Sequence, residues 1–470
     1  MMGGMKSIRG ICCLRLAWVG LWLTSAGFAA GGEVWLTTPD RSALFQRQAS
    51  PIDFAPGTNA NPTIEIDGTR TCQTMAGFGF TLTGGSAQLL HHMGTAARAA
   101  LLRELFASDS TNIGLSYLRI SIGASDLNDH VFSYDDRPPG ETDPTLAHFD
   151  LAPDRVDLIP VLREILQINP GLEILGSPWS PPPWMKTSRS SKGGSLRPEF
   201  YGAYAQYFVK YLSGMRATGI RVAAITVQNE PLNPNNNPSL LMTATEQGTF
   251  IRDHLGPALR AAKLNTRILL YDHNADHPDY PLAILADAET RNFVDGSAFH
   301  LYAGRIEALS RLHEAYPDKG IYFTEQWIGA PGNLGGDLNW HTRNLIIGAT
   351  RNWSRTVLEW NLAADARLAP HTPGGCDRCL GALTIEGDAV TRNPAYYIIA
   401  HASKFVRPGA VRVESSMPNS LLNVAFKLPG GPWVVVVLNG GRAPQDFNLR
   451  LAGAQAEVRL PAGAVGTFVW

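Results

Sequence analysis

The sequence predicts a (β/α)₈ TIM barrel of the α/β class with an accessory all-β sandwich, on three observations. Eight short apolar, β-rich runs fall between residues 75 and 406, separated by longer segments with helical spacing. Each run is nearly continuous in apolar residues at its start, as a strand buried on both faces must be. Past residue 404 the texture changes to short strands split by Gly, Pro and Asn turns.

Taken in order, residues 1–30 have a basic start (Lys6, Arg9, Arg15), an apolar stretch over 16–28 and small residues around Ala29. That is a signal-peptide pattern, and the apolar run is shorter than the roughly 20 residues of a membrane span, so an exported chain with no stable membrane anchor is expected. Cys12 and Cys13 precede the run, which leaves Cys72, Cys376 and Cys379. Export permits a disulfide between the last two, whose pairing stays open. A structural or idle role suits them better than redox or zinc chemistry, which would need a strand–helix junction or a second pair.

Residues 31–74, strand-like at 63–66, are expected to join the sandwich. The barrel is expected over 75–403, with strands at 75–83, 115–124, 172–180, 222–231, 267–274, 296–304, 320–327 and 356–363. Helices are predicted at 96–108, 154–169, 198–219, 243–264 and 394–405. Thr243 and Glu246 have capping-box spacing, and Pro198 and Gly219 stand where a helix starts and stops. The sandwich is expected over 404–470, with strands at 420–428, 433–439, 446–451, 456–460 and 466–470. An open doubly wound sheet would carry GxGxxG after a strand or a P-loop, and the chain has neither.

In 470 residues, 44% hydrophobic and 17% charged, there is ample material for a core, which excludes disordered, collagen-like and coiled-coil chains. With 40 Lys+Arg against 41 Asp+Glu and no run of like charge, nothing marks a nucleic-acid or anionic-membrane partner. A neutral ligand is expected.

In such a barrel the reactive groups stand at the C-terminal ends of the strands. Val227-Gln228-Asn229-Glu230-Pro231 ends the fourth predicted strand and Phe323-Thr324-Glu325-Gln326-Trp327 the seventh. One such glutamate could equally cap a helix or meet an arginine. Two across one barrel mouth are what glycosidic hydrolysis requires, one to protonate the leaving oxygen and one to attack the anomeric carbon or activate water. Trp179, Trp327 and Trp360 sit beside them in sequence, and indole faces suit the C–H face of a pyranose. Asp272-His273-Asn274-Ala275-Asp276-His277 could suggest a metal, but a sugar-contacting loop explains it without one.

The Asn-Glu-Pro triplet with a glutamate ending strand seven resembles clan A retaining glycoside hydrolases. Gly77-Phe78-Gly79, Arg119, Ser177-Pro178-Trp179-Ser180-Pro181-Pro182-Pro183-Trp184-Met185-Lys186, Phe299-His300-Leu301-Tyr302 and Trp360-Asn361-Leu362 narrow the resemblance. Together, over roughly residues 60 to 470, they resemble glycoside hydrolase family thirty, the family of lysosomal glucosylceramidase. The resemblance implies Glu230 as general acid/base and Glu325 as nucleophile of a retaining double displacement, about 5 Å apart, with no metal and no cofactor. It implies that Asn229 bonds the sugar 2-hydroxyl, that Arg119 lowers the pKa of Glu325, that Tyr302 bonds Glu325, and that His300 and Asp272 lie at the substrate site.

Relatives of the glucosylceramidase type carry Thr-Asp after strand one, where this chain has Thr83-Gly84. An acidic contact to the glucose 3- and 4-hydroxyls is then missing or supplied elsewhere, with Asp272 the first candidate. The expected substrate is a β-glucoside, glucan or glycolipid, cleaved as by a β-glucosidase or glucosylceramidase. The alternatives are an endo-β-1,6-glucanase, a β-xylosidase or a β-fucosidase. A carbohydrate-binding barrel without turnover would have lost one of the two glutamates, and both are present.

Overall fold

The computed structural model describes Met1 and residues 31–470, so the expected signal peptide lies outside the described residues. Among these residues no helix is long and apolar enough to cross a membrane. Eight parallel strands close a barrel: Gly77–Thr81, Tyr117–Ile122, Glu173–Pro178, Ala224–Thr226, Arg267–Ala275, Gly296–Gly304, Gly320–Glu325 and Ser354–Asn361. They bury both faces, which explains why their sequences read as apolar runs and not as alternation. Inside, Tyr117, Leu175, Ala224, Leu269, Ala298, Tyr322 and Leu358 pack into one cluster, a floor contributed by seven strands. On the remaining strand Gly79 lies so close to its neighbour that a Cβ would stand 1.8 Å from the Tyr117 carbonyl oxygen.

The predicted helices form with breaks that their prolines explain. The stretch predicted at 154–169 is two helices, Ala152–Val156 and Leu158–Ile168. Pro160 has no N–H to give to the carbonyl four residues back, so the chain restarts at Asp157. The helix predicted at 243–264 begins with the expected capping box, in which Thr243 and Glu246 cap each other reciprocally. It then widens to a π-turn over Ile251–Leu255 just before Pro257, where a regular turn would press the ring on the preceding carbonyl. A helix absent from the sequence reading, Gly84–His92, starts at Thr83, whose side chain accepts from the Ser86 N–H. Its cap was assigned to the end of strand one.

Beside the barrel, Val411–Ser415, Leu421–Lys427, Trp433–Asn439, Gln445–Leu451, Ala454–Leu460 and Val465–Val469 form the β-sandwich domain. Val411–Ser415 is a strand that the sequence reading missed. Glu33–Thr37 pairs antiparallel with Val465–Val469, and the long strand Thr63–Thr74 pairs with both Val411–Ser415 and Gln445–Leu451. The same strand leads straight into the first barrel strand, with Met75 N–H bonded to the Ala410 carbonyl.

His401, on helix Pro394–Ser403, locks the two units together: its ring nitrogens meet the hydroxyls of Thr467 and Thr37, both at 2.8 Å. It is 1% exposed, and burial holds its pKa down to about 3. A histidine depressed below its unfolded value of 6.5 stabilises fully above that pH and is lost as pH falls. We expect urea stability to drop by about 1.4 kcal/mol per pH unit below the unfolded value through this residue. His401→Gln should flatten that acid limb in equilibrium unfolding at graded pH; an unchanged slope would refute the coupling.

Candidate active site

Two residues beyond each apolar floor residue the barrel interior turns polar, because strand side chains alternate with period two. Tyr117 leads to Arg119, Leu175 to Ser177, Ala224 to Thr226, Ala298 to His300, Tyr322 to Thr324 and Leu358 to Trp360. On strand five the step is three, from Leu269 to Asp272. There Tyr271 and Asp272 take φ of 71° and 63°, and the pairing with strand six slips by one residue. This bulge turns the Asp272 carboxylate inward.

Arg119 is the hub of this layer. Its guanidinium donates to Glu325 at 2.5 Å, Asn229 at 2.6 Å, Asp272 at 2.7 Å and the Ser177 hydroxyl at 3.0 Å. Its plane also lies 4.8 Å from the Trp179 ring centre and 5.8 Å from that of Trp360. Asp272 accepts further bonds from Thr226 and Thr324, each at 2.7 Å, and from Ser177 at 3.1 Å. Its other neighbour is His300, whose Nε2 lies 3.1 Å from it and whose Nδ1 lies 3.3 Å from Glu230.

Above the layer opens a pocket of about 500 Å³ lined by Trp179, Trp327 and Trp360, by Glu230, Glu325 and Tyr302, and by the amides of Asn229, Asn233, Asn236 and Asn274. Asp126, His273, Leu232 and the Cys376–Cys379 disulfide complete it. Trp179 and Trp360 are buried with their ring centres 5.4 Å apart, and Trp327 is half-buried. The two cysteines therefore pair, and they do so at the rim of the pocket.

Arg119, His300 and Asp272 line no part of this pocket and are each 0% exposed. Arg119 and His300 instead contact Glu325 and Glu230 above them, and Asp272, expected at the substrate site, contacts Arg119 and His300. Asp272 in particular spends its oxygens on protein donors and has no reach to a sugar.

The predicted strand four ends early, at Thr226, because the Asn229 and Glu230 N–H groups leave the ladder for the carbonyls of Pro178 and Asp272. Glu230 sits at φ 45°, the left-handed region unfavourable for a residue with a side chain. That twist aims it into the pocket, where Asn233 donates to its carboxylate at 2.8 Å. Glu325 receives the Tyr302 hydroxyl at 2.8 Å. Carboxylate oxygens of Glu230 and Glu325 and a ring nitrogen of His300 all lie within 4.8 Å of one another, a spacing that could hold a cation. His300 itself supplies the positive charge there.

Burial alone would strip that charge from His300, but Glu325, Asp272 and Glu230 around it push its pKa up to about 9. Burial raises Glu230 as well, yet the His300 hydrogen bond and charge win and hold it at about 2. For Glu325 burial outweighs the pull of His300 and Arg119, so its pKa stands above the ordinary value. The lowering expected from Arg119 is present but smaller than the desolvation.

One pocket residue escaped the sequence reading. Asp126 follows the second strand and is 5% exposed; one carboxylate oxygen accepts from the Cys376 N–H at 3.3 Å and the other has no hydrogen-bond partner among the described residues. Burial, reinforced by Glu325 and Glu230, pushes it up to about 7. The signal was available, a polar residue just after an apolar run. Gly84, by contrast, begins a helix away from this pocket, and a Cβ there would stand 1.8 Å from the Asn128 amide nitrogen. An aspartate at that position would have to displace the Asn128 side chain.

Residues 75–406 match the glycosyl hydrolase family 30 TIM-barrel domain and residues 409–468 the family 30 beta sandwich domain. The chain is 38% identical to the endo-1,6-beta-D-glucanase of Neurospora crassa, over 76% of this chain and 75% of that protein. It is 28% identical to the lysosomal acid glucosylceramidase of Mus musculus, over 85% and 81%. Among solved structures, the endo-beta1,6-glucanase BT3312 superimposes with a TM-score of 0.87 at 33% identity, covering 94% of this chain and 99% of that one.

Because its folded value of about 9 lies above the unfolded 6.5, protonated His300 stabilises the fold fully at pH below the unfolded value. That contribution is lost as pH rises through the folded value. We expect the urea midpoint of the wild type to fall over this window and that part of the fall to vanish in His300→Gln. A midpoint equally pH-dependent in the variant would show that His300 is neutral.

Proposed function

The chain belongs to glycosyl hydrolase family 30 and is a glycoside hydrolase, and on that footing we propose that it is a retaining endo-β-1,6-glucanase. In this reading Glu325 attacks the anomeric carbon while Glu230 gives a proton to the departing glycosidic oxygen, leaving a covalent glycosyl ester on Glu325. Water, deprotonated by Glu230, then opens the ester with a second inversion. The approach of the two carboxylates within 4.8 Å supports retention, since inverting enzymes separate theirs by ~6.5–9.5 Å to admit a water.

In the open pocket the proton that Glu230 needs rests on His300, 3.3 Å away. A sugar that displaces water from Glu230 adds desolvation and favours its transfer to the carboxyl. These groups therefore titrate as one unit. Arg119 and Tyr302 orient the nucleophile, and Asn229, itself held by Arg119, is placed for the sugar 2-hydroxyl. Asp126, with its unpaired oxygen, is the acidic group for the remaining hydroxyls. Asp272 and His300 act from beneath as positioning residues.

The observation that carries the choice of substrate is the wall beside Glu230, where the leaving group departs. Asn233 and Asn236 stand there, with Leu232 as the aliphatic residue. Beyond the bonds they make within the protein, these amides keep hydrogen-bonding capacity that the hydroxyls of a further sugar would use and a ceramide chain would not. The glucosylceramidase-like activity favoured by sequence alone suits this wall less well, and the similarity to endo-1,6-β-glucanases points the same way. The signal-peptide pattern of residues 1–30 and the Cys376–Cys379 disulfide support an exported protein.

On linear β-1,6-glucan we expect a ladder of oligosaccharides early in the digest; release of glucose alone, or preference for glucosylceramide, would overturn the endo-glucanase reading. Glu325→Gln should lose at least ~10³-fold in activity with the fold intact. Glu230→Ala should keep activity on aryl glycosides with good leaving groups and yield a β-glycosyl azide when azide is added, an outcome that an inverting enzyme cannot give. General acid help of ~10²–10⁴-fold should be missing on the glucan.

A further inference from the structure

The loop after the second barrel strand holds two carboxylates that the reaction does not use. Asp135 and Asp143 flank its exposed turn at Pro138, Pro139 and Gly140, and both side chains are buried, Asp135 to 2% exposure. One oxygen of each, with a nitrogen of His148, falls within a set of atoms no more than 4.8 Å apart. Asp143 is held in place: its carboxylate accepts the His148 N–H at 2.8 Å, lies 2.9 Å from His148 Nδ1, and accepts the Thr145 hydroxyl at 3.0 Å. Asp135 is not. Neither of its carboxylate oxygens has a hydrogen-bond partner among the described residues.

Arg137 and His148 are the cationic groups that face the Asp135 carboxylate, and neither makes a hydrogen bond to it. The Trp184 indole N–H goes to the Asp135 backbone carbonyl at 2.9 Å, and Arg137 pairs with Glu141 at 2.8 Å. Burial and the neighbouring Asp143 push Asp135 up to about 7, so it takes up a proton, alone or shared with Asp143, unless a cation binds between them. Three features favour the cation. Both Asp135 oxygens are unclaimed, whereas a shared proton would tie one of them to Asp143. Asp143 is oriented by His148 and Thr145, as ligating carboxylates are by their outer partners. The His148 side is open, with its side chain 58% exposed, so an ion and its waters have a way in.

We propose that Asp135 and Asp143 bind a hard, oxygen-preferring divalent cation of the calcium class that closes this loop. Two carboxylates completed by water suit such an ion better than a softer metal. The site lies apart from both clusters weighed in the sequence, the cysteine pair and the run 272–277, and takes no part in the hydrolysis. Its effect is mechanical: it joins the two ends of the turn at 136–142, on the segment whose beginning carries Asp126 into the pocket.

The test uses terbium ion as probe on the full chain after chelator treatment. Trp184 touches Asp135 and should sensitise bound terbium, giving saturable emission on tryptophan excitation. Calcium should compete it away, bind at one equivalent per chain in equilibrium dialysis, and raise the unfolding temperature. Asp135→Asn should abolish the signal, His148→Ala should weaken binding ~10-fold, and Asp446→Asn, an exposed carboxylate of the accessory domain, should change nothing. If Asp135→Asn does not fold, the stoichiometry and the calcium-dependent unfolding temperature of the wild type still decide. Absence of saturable binding in the wild type, or emission unaltered by Asp135→Asn, would overturn the proposal in favour of a shared proton.

Discussion

Everything at the barrel mouth rests on one buried ion pair, Arg119 with Asp272, both without solvent exposure. A guanidinium in a dry interior is tolerable only with its donors satisfied, and this one meets three side-chain oxygens besides Asp272. The pair adds little net stability over a well-packed apolar core, but removing either partner would strand the other charge. Its value is geometric. It holds Asn229 and Glu325 in one plane, and through Asp272 it fixes the ring of His300, which faces Glu230. Side chains from strands six and seven and from the turn after strand four thus share a single reference point.

That dependence explains which parts of the site were legible in the sequence. The eight strands could be read because burial on both faces leaves a continuous apolar signature, and the two glutamates because they follow such runs. Asp272 could be found but not understood. The bulge at Tyr271 and Asp272 shifts the alternation by one residue, and nothing in the residue types announces it. Its placement beneath the pocket, not in its lining, is a property of backbone geometry. Asp126 was missed for a plainer reason: the predicted strand ran to 124 and absorbed the turn before it. The overextension of strand four to 231 has the same root, since Asn229 and Glu230 read as strand but bond the Pro178 and Asp272 carbonyls outside the ladder.

The sign of the pKa shifts could not be read from residue types either. Placing Arg119 beside Glu325 predicts a lowered carboxyl, and the attraction is there. Burial reverses the balance. Histidine shows the same competition with both outcomes in one molecule. His401, its ring nitrogens on two threonine hydroxyls and its ring against Phe45, stays neutral, while His300, equally buried among three carboxylates, stays charged. Depth of burial sets the size of the penalty, and the neighbours decide which species bears it.

The long strand Thr63–Thr74 and its neighbour Glu33–Thr37 carry a consequence for how the chain is made. Apart from the two-residue strand Gln46–Arg47, Glu33–Thr37 finds its partner at Val465–Val469, and Thr63–Thr74 finds its partners at Val411–Ser415 and Gln445–Leu451. During synthesis the first strands to emerge therefore have no sheet to join until nearly the whole chain has followed. The barrel between them must collapse while two open β-edges wait, a slow, non-local closure in which pairing with another chain is the competing fate. Translocation in an unfolded state, with folding begun only once both ends have arrived on the same side, would remove that wait.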